Sequence, residues 1–137
     1  MRLTRKTNYA LRILMYCASN QDSLSSIPEI AKTYAISELF LFKILQPLVG
    51  AGFLQTVRGR NGGIKLAKPA TEISVADVVK IIEDNFSMAE CFDKTEVNCP
   101  LVNSCNLNIV LKNALNAFFD VLSTTSISDL QQPLLQR

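Results

Sequence analysis

The chain has 137 residues, 48% hydrophobic and 19% charged, with 14 Lys and Arg against 12 Asp and Glu and no histidine. That length and apolar content suit one compact domain, or a small domain with an assembly element, and exclude global disorder. Without histidine there is no histidine-based triad, no usual general base near neutral pH and little scope for a zinc enzyme, so the composition points away from catalysis. No apolar run approaches the roughly 20 residues of a membrane span. No signal-peptide stretch follows the charged opening at residues 1–6, so a cytoplasmic protein without membrane attachment is expected.

The net charge of +2 conceals a division along the chain. Residues 1–70 hold ten Lys and Arg and three acids, whereas residues 71–137 hold four bases and nine acids. One reading is a polyanion-facing first half and a second half with another task; chance scatter of solvated charge is the bland alternative.

Ala10, Ile13, Leu14, Cys17 and Ala18 recur at helical spacing and predict a first helix, capped by Thr4 or Thr7 and ended by Ser19-Asn20-Gln21-Asp22. A short second helix starts at Ser26-Ile27-Pro28-Glu29, read as a capping box, and buries Ile30, Ala31 and Tyr34. After the brief break at Ala35 and Ile36, Ser37 can cap a third helix running to about Gly50. The pair spells a helix-turn-helix. Leu41, Ile44, Leu45 and Leu48 form the inward stripe of the third helix, leaving Glu38, Leu39, Phe42, Lys43 and Gln46 outside. Two exposed large apolar side chains beside a Lys and a Glu make a contact surface, with inter-helix packing of Leu39 and Phe42 as the bland alternative. Pro47 should kink or end the helix locally.

Two alternating runs, residues 54–58 and 64–67, flank Gly59-Arg60-Asn61-Gly62-Gly63 and predict a β-hairpin around an Asn-Gly turn. Arg58, Arg60 and Lys65 make it basic. A hairpin directly after a helix-turn-helix is a wing. Ser74 opens a fourth helix carrying Val75, Val78, Val79 and Ile82 on one face. Residues 86–105 then lack periodicity. From about Asn106 to Leu122 a long helix carries Leu107, Leu111, Ala114, Leu115, Phe118 and Leu122 along one stripe and Val110, Ala117 and Val121 along a second. One small domain can hardly cover both, so a partner helix from a second copy is expected. The tail beyond Gln131 carries little pattern and is expected to fray.

Of the four cysteines, Cys17 falls on the buried face of the first helix and reads as a structural thiol. Cys91, Cys99 and Cys105 cluster with the spacing C-x7-C-x5-C. Three is an odd number to pair as disulfides, and no secretory signal favours them. Close thiolates suit zinc or an iron–sulfur cluster. A closed four-coordinate zinc site lacks its fourth ligand here, whereas a cluster with one weak, replaceable ligand is chemically reasonable and labile. Incidental free cysteines in a loop are the plain alternative.

Taken together, Met1-Arg2-Leu3-Thr4, the wing Arg58-Gly59-Arg60-Asn61-Gly62-Gly63 and three cysteines before a long helix resemble the bacterial winged-helix iron–sulfur transcription regulators of the IscR/NsrR/RirA family, over essentially the whole chain. Ser37-Glu38-Leu39-Phe40-Leu41-Phe42-Lys43-Ile44-Leu45-Gln46-Pro47-Leu48, Met88-Ala89-Glu90-Cys91-Phe92 and the cysteine spacing look most like the rhizobial iron regulators of the RirA type. The resemblance implies a mainly α fold with a small β-hairpin wing. It divides into a winged helix-turn-helix DNA-binding domain over residues 1–85, a cysteine-bearing cluster loop over 86–105, and a dimerisation helix and tail over 106–137. It implies an iron–sulfur cluster on Cys91, Cys99 and Cys105, 4Fe–4S first and 2Fe–2S as the alternative.

It also implies a homodimer on a near-palindromic double-stranded DNA operator, contacted by Arg2, Thr4, Ser37, Glu38, Leu39, Phe42, Lys43, Arg58, Arg60 and Asn61, and repression of iron-uptake genes. Some relatives complete the cluster with a His just after the third cysteine, where this chain has Asn108. Others use a carboxylate from the partner's first helix, where the nearest residue is Asn8. The fourth ligand is therefore open among solvent, Glu90, Asp93 and a group from the second subunit. The alternatives are the same fold sensing nitric oxide or redox stress, and a zinc-stabilised, non-catalytic interaction module.

Overall fold

The structure, a computed structural model, describes residues 1–93 and 98–131. Residues 94–97, inside the expected cluster loop, and the tail 132–137, expected to fray, lie outside the described residues. Among the described residues, five α-helices and one two-stranded antiparallel hairpin, with three short 3-10 turns, make up the regular structure: α1 (Arg5–Ser19), α2 (Ile27–Tyr34), α3 (Glu38–Gly50), β1 (Leu54–Val57), β2 (Gly63–Leu66), α4 (Val75–Ile82) and α5 (Asn106–Ser123). This is the mainly α, winged arrangement expected of the sequence. Among the described residues, no helix is long and apolar enough to cross a membrane.

Helix α1 starts where Thr4 Oγ1 accepts from the Thr7 N–H at 3.3 Å, so Thr4 is the cap and Thr7 lies inside the helix, fully buried. Its apolar face (Ala10, Ile13, Leu14, Cys17, Ala18) packs against α3, β2 and α4. Helix α2 follows Ser26, but no capping box forms: Ser26 makes no side-chain cap bond. Pro28 stands at one of the positions whose N–H a cap side chain would use, and it has no N–H to give. Ile30 and Ala31 are buried as expected, whereas Tyr34 is half-buried and donates its hydroxyl to the Arg12 carbonyl at 3.0 Å. Ala35 then takes a left-handed conformation, φ 52°, which turns the chain sharply enough for α3 to begin three residues later.

Pro47 does not end α3. The helix runs through it to Gly50, with the Ala51 N–H donating to the Pro47 carbonyl at 3.0 Å. Leu41, Ile44, Leu45 and Leu48 are buried on both sides of the proline. Their packing carries the helix past the missing N–H.

The hairpin pairs Leu54 with Leu66 through Val57 with Gly63. Its connection, residues 58–62, falls within one residue of the expected Gly59–Gly63 segment and contains the Asn61-Gly62 pair. The strands end at Val57 and Gly63, and the Gly62 N–H returns to the Gly59 carbonyl at 3.0 Å with Gly59 at φ 115°. The wing is also joined to the domain through its backbone: Ser25 and Ile64 exchange N–H···O bonds of 2.8 and 2.9 Å. Gly63 makes this approach possible, since a Cβ there would lie 2.5 Å from the Ser25 carbonyl oxygen.

Helix α4 is capped by Ser74, whose Oγ accepts from the Asp77 N–H, and it buries Val75, Val78, Val79 and Ile82. Helix α5, 18 residues and about 27 Å long, lies against α4. The Phe86 and Phe119 rings meet edge-on at 4.8 Å, and Lys80 Nζ sits 5.1 Å from the Phe119 ring. The expected leading stripe is only partly covered. Leu111, Leu115, Phe118 and Leu122 are half-buried, while Leu107 and Ala114 stand out with Val110, Ala117 and Val121. A single neighbouring helix covers only a narrow face of α5, and each of its residues keeps some exposure.

Beyond α5 the chain returns to the core. The Val75 N–H donates to the Thr125 carbonyl and the Ile127 N–H to the Ile73 carbonyl, both at 2.9 Å, and Ile127 is completely buried. Gln131 Nε2 donates to the Ala18 carbonyl at 2.7 Å. At the end of α4, Glu83 accepts from the Thr4 N–H (3.1 Å), the Thr4 hydroxyl (3.2 Å) and the Thr7 hydroxyl (2.5 Å). Desolvation raises the Glu83 pKa, but the Thr7 hydroxyl and the two Thr4 donors outweigh it, leaving the carboxyl below its ordinary 4.5.

Ile127→Ala should cost about 2–5 kcal/mol in chemical denaturation, because it opens a cavity where α1, α4 and the end of the chain meet. Glu83→Gln should be less stable than the parent at pH 7 by on the order of 1 kcal/mol. A depressed carboxylate pKa stabilises the fold above the unfolded value and loses that contribution as pH falls through the folded one. The gap between the two proteins should therefore close as unfolding curves are recorded at pH values below 4.5.

Candidate functional site

One face of the molecule combines α3 and the wing. Ser37 starts α3 by accepting from the Phe40 N–H at 3.1 Å, which leaves the first turn of the helix at the surface. The inward stripe of α3 is buried, so Glu38, Leu39, Phe42, Lys43 and Gln46 project outward, with Leu39 70% and Phe42 51% exposed. The packing alternative for Leu39 and Phe42 therefore has no support within one copy of the chain. Arg58, Arg60, Asn61 and Lys65 are exposed on the wing. An open cleft separates the two parts, with Glu38 and Phe42 on one wall and Thr56, Val57 and Arg58 on the other.

Arg5 also belongs to this face, although no sequence reasoning selected it. Its guanidinium lies 5.7 Å from the Phe40 ring and 5.8 Å from the Tyr9 ring, and it lines a hollow with Ala35, Ile36 and Ser37 at the start of α3. The i, i+4 pairing of Arg5 with Tyr9 was legible on α1; the approach of Phe40 was not. Arg2 and Thr4 are positioned differently from the other expected contacts. Arg2 lines a small cavity with Leu3, Glu83, Phe86, Leu115 and Phe118, and Thr4 is engaged by Glu83 through both its N–H and its hydroxyl.

The cysteines separate into one buried thiol, Cys17, and three half-buried ones. Burial, offset only in part by the Ser25 hydroxyl, pushes the Cys17 thiol up to about 11, which keeps it protonated and inert at neutral pH. Cys91 sits in a 3-10 turn, Glu90–Phe92, and Cys105 is the N-cap of α5. Both sulfurs converge on one residue. Asn108 Nδ2 donates to Cys91 Sγ at 3.0 Å, and the Asn108 backbone N–H donates to Cys105 Sγ at 3.4 Å. Cys99 is a free, half-buried thiol like the other two, and its carbonyl accepts from the Val102 N–H at 3.2 Å.

Among the described residues, no three His, Cys, Asp or Glu side chains come close enough together to grip a single ion. The structure thus brings Cys91 Sγ and Cys105 Sγ to Asn108, and among the described residues the three cysteines do not close into one group. Of the carboxylates considered as a fourth ligand, Asp93 accepts from the Ser87 hydroxyl and Glu90 is exposed. Asn8 is exposed on α1. Asn108 entered the sequence reading only as the position where a His was missing, and its contact with Cys91 spans 17 residues that no local pattern connects.

Comparison with known proteins matches this architecture. Residues 3–133 match the Rrf2 family, described as an iron-dependent transcriptional regulator. Protein aau3 of Rhizobium meliloti (strain 1021) is 64% identical over 130 residues, covering 95% of this chain and 84% of that protein. The HTH-type transcriptional regulator NsrR of Oceanobacillus iheyensis is 43% identical over 131 residues, covering 95% of this chain and 89% of its own. Among solved structures, CymR, the global cysteine regulator of B. subtilis, superposes with a TM-score of 0.75 at 27% identity, covering 95% of each chain. With a winged helix-turn-helix, a match over nearly its full length and relatives that regulate transcription rather than catalyse reactions, the chain belongs to the Rrf2 family of transcriptional regulators.

Proposed function

We propose that this regulator is a dimeric DNA-binding repressor of iron-uptake genes, and that its hold on DNA follows iron through a labile iron–sulfur cluster on Cys91, Cys99 and Cys105. The observation that carries the reading is the meeting of Cys91 Sγ and Cys105 Sγ at Asn108, at the start of α5. The donor set, rather than a preformed three-cysteine pocket, fits such a group. All three thiols are free and half-buried, all-sulfur ligation suits iron–sulfur chemistry, and two sulfurs are already met by N–H donors. A bound cluster, 4Fe–4S with 2Fe–2S as the alternative, would supply an iron-dependent, removable cross-link among the three cysteines. The description of the family as iron-dependent supports iron as the signal.

The remaining steps belong to the protein. Residues 1–85 read DNA, 86–105 carry the cysteines and 106–137 join two copies. The exposed apolar side chains of α5, Val110 at 61% and Val121 at 65% among them, support a second copy as the partner. Tied at three points, residues 86–105 fix how α5 sits on the winged-helix half and hence the spacing between the two α3 helices; untied, they let that spacing drift. The first turn of α3, with Ser37 and Arg5, meets a phosphate. Glu38 accepts from a cytosine amino group, Leu39 and Phe42 touch thymine methyls, and Lys43 reaches a phosphate or a guanine. Arg58, Arg60 and Asn61 of the wing enter the minor groove. Two copies related by a two-fold axis require a near-palindrome with half-sites about one helical turn apart.

A second reading, the same fold sensing nitric oxide, is favoured by the 43% identity to a regulator named NsrR. Cys99→Ala, purified without oxygen, should lose the visible absorbance of the parent and its binding to an iron-uptake operator; unchanged operator affinity would defeat the reading. In the same assay, release of the parent by an iron chelator supports iron sensing, and release by nitric oxide alone supports the second reading. Arg60→Ala should bind operator and non-operator DNA more weakly and lower the slope of log affinity against log salt by about 1. An unaltered slope in a salt titration would remove Arg60 from the interface.

A further inference from the structure

Asn108 makes two different hydrogen bonds to sulfur. The backbone bond to Cys105 Sγ is ordinary capping, which any non-proline residue at the third position of a helix can supply. The side-chain bond to Cys91 Sγ is not, because nothing in forming α5 requires a carboxamide at this position. Asparagine is a poorer helix former than alanine, so its presence there costs α5 a little. What the carboxamide does is reach across to the 3-10 turn that carries Cys91 and hold that sulfur beside the capped end of α5.

We propose that Asn108 is a positioning residue of the cysteine centre, gathering Cys91 with Cys105 before any cofactor arrives and keeping an N–H···S bond on the Cys91 sulfur afterwards. The proposal rests on the cluster reading of the preceding subsection. Two effects follow from general chemistry. Pre-gathering lowers the ordering cost of assembling the ligands, so metal uptake tightens. An N–H donor on a ligand sulfur disperses its negative charge and favours the reduced state, so the reduction potential rises.

The test uses the full chain with Asn108→Ala and Asn108→Leu, both of which keep the backbone bond and the helix, and with Cys91→Ala as reference. Reduced, metal-free protein is titrated with Co(II), following the sulfur-to-cobalt charge-transfer absorbance. Anaerobically reconstituted protein is then poised to measure its reduction potential. Both Asn108 variants should bind Co(II) roughly tenfold more weakly than the parent and show a more negative potential, while Asn108→Gln, which retains the amide donor, should recover part of each. Parental Co(II) affinity and potential in Asn108→Ala and Asn108→Leu, with both properties lost in Cys91→Ala, would overturn the role of Asn108 and leave the cluster reading standing. Parental behaviour in Cys91→Ala would overturn the cluster reading itself, and the role of Asn108 with it.

Discussion

The burial of one face of α1 is the constraint on which the rest of the structure depends. A helix of 15 residues is marginal alone in water, and its stability here comes from packing. Ala10, Ile13, Leu14, Cys17 and Ala18 supply that face, and α3, β2, α4 and the 3-10 turn Ser128–Leu130 close over it. Each functional part is therefore positioned against the same surface. The outward stripe of α3 is set by which of its residues face α1, and the wing takes its place because β2 also rests there.

Two short stretches of backbone pairing outside the regular elements complete this arrangement. A lone two-stranded hairpin is marginal in water, but Ser25 and Ile64 pair the wing to the segment before α2. On the other side, Ser74 pairs with Ser126, and Ile127 inserts into the core, so α5 is tied to the start of α4 at its C-terminal end. At its N-terminal end, α5 meets the cysteine turn through Asn108. Glu83 links the end of α4 to Thr4 and Thr7 at the start of α1. The cysteine-bearing stretch thus leaves the winged-helix half from an anchored point and reaches α5 beside two gathered sulfurs, which suits a segment proposed to report its state to the DNA-facing side.

Much of this was legible in local patterns. The buried stripes of α1, α3 and α4 follow from 3.6-residue periodicity, and the hairpin from alternation and glycines. Where the local reading failed, a specific competing effect prevailed. The capping box expected at Ser26 does not form, and α2 starts without a side-chain cap. Core packing on both sides of Pro47 outweighed its missing N–H. Ile127 follows a helix end and precedes polar residues, and nothing in its neighbours marks it as core.

By itself, the sequence determined which residues face inward along α1, α3 and α4, that a basic wing follows a helix-turn-helix, and that Cys17 is a buried thiol. These are properties of periodicity and spacing over a few turns of chain, and short-range geometry is enough to reveal them. Only the tertiary structure decided that Arg5 stands beside Phe40 at the start of α3, that Glu83 clasps Thr4 and Thr7, that Ile127 seals the core, and that Asn108 joins Cys91 to Cys105. Each of these contacts links side chains far apart in the chain, and such partners are chosen by how the helices pack around α1, which no local pattern records.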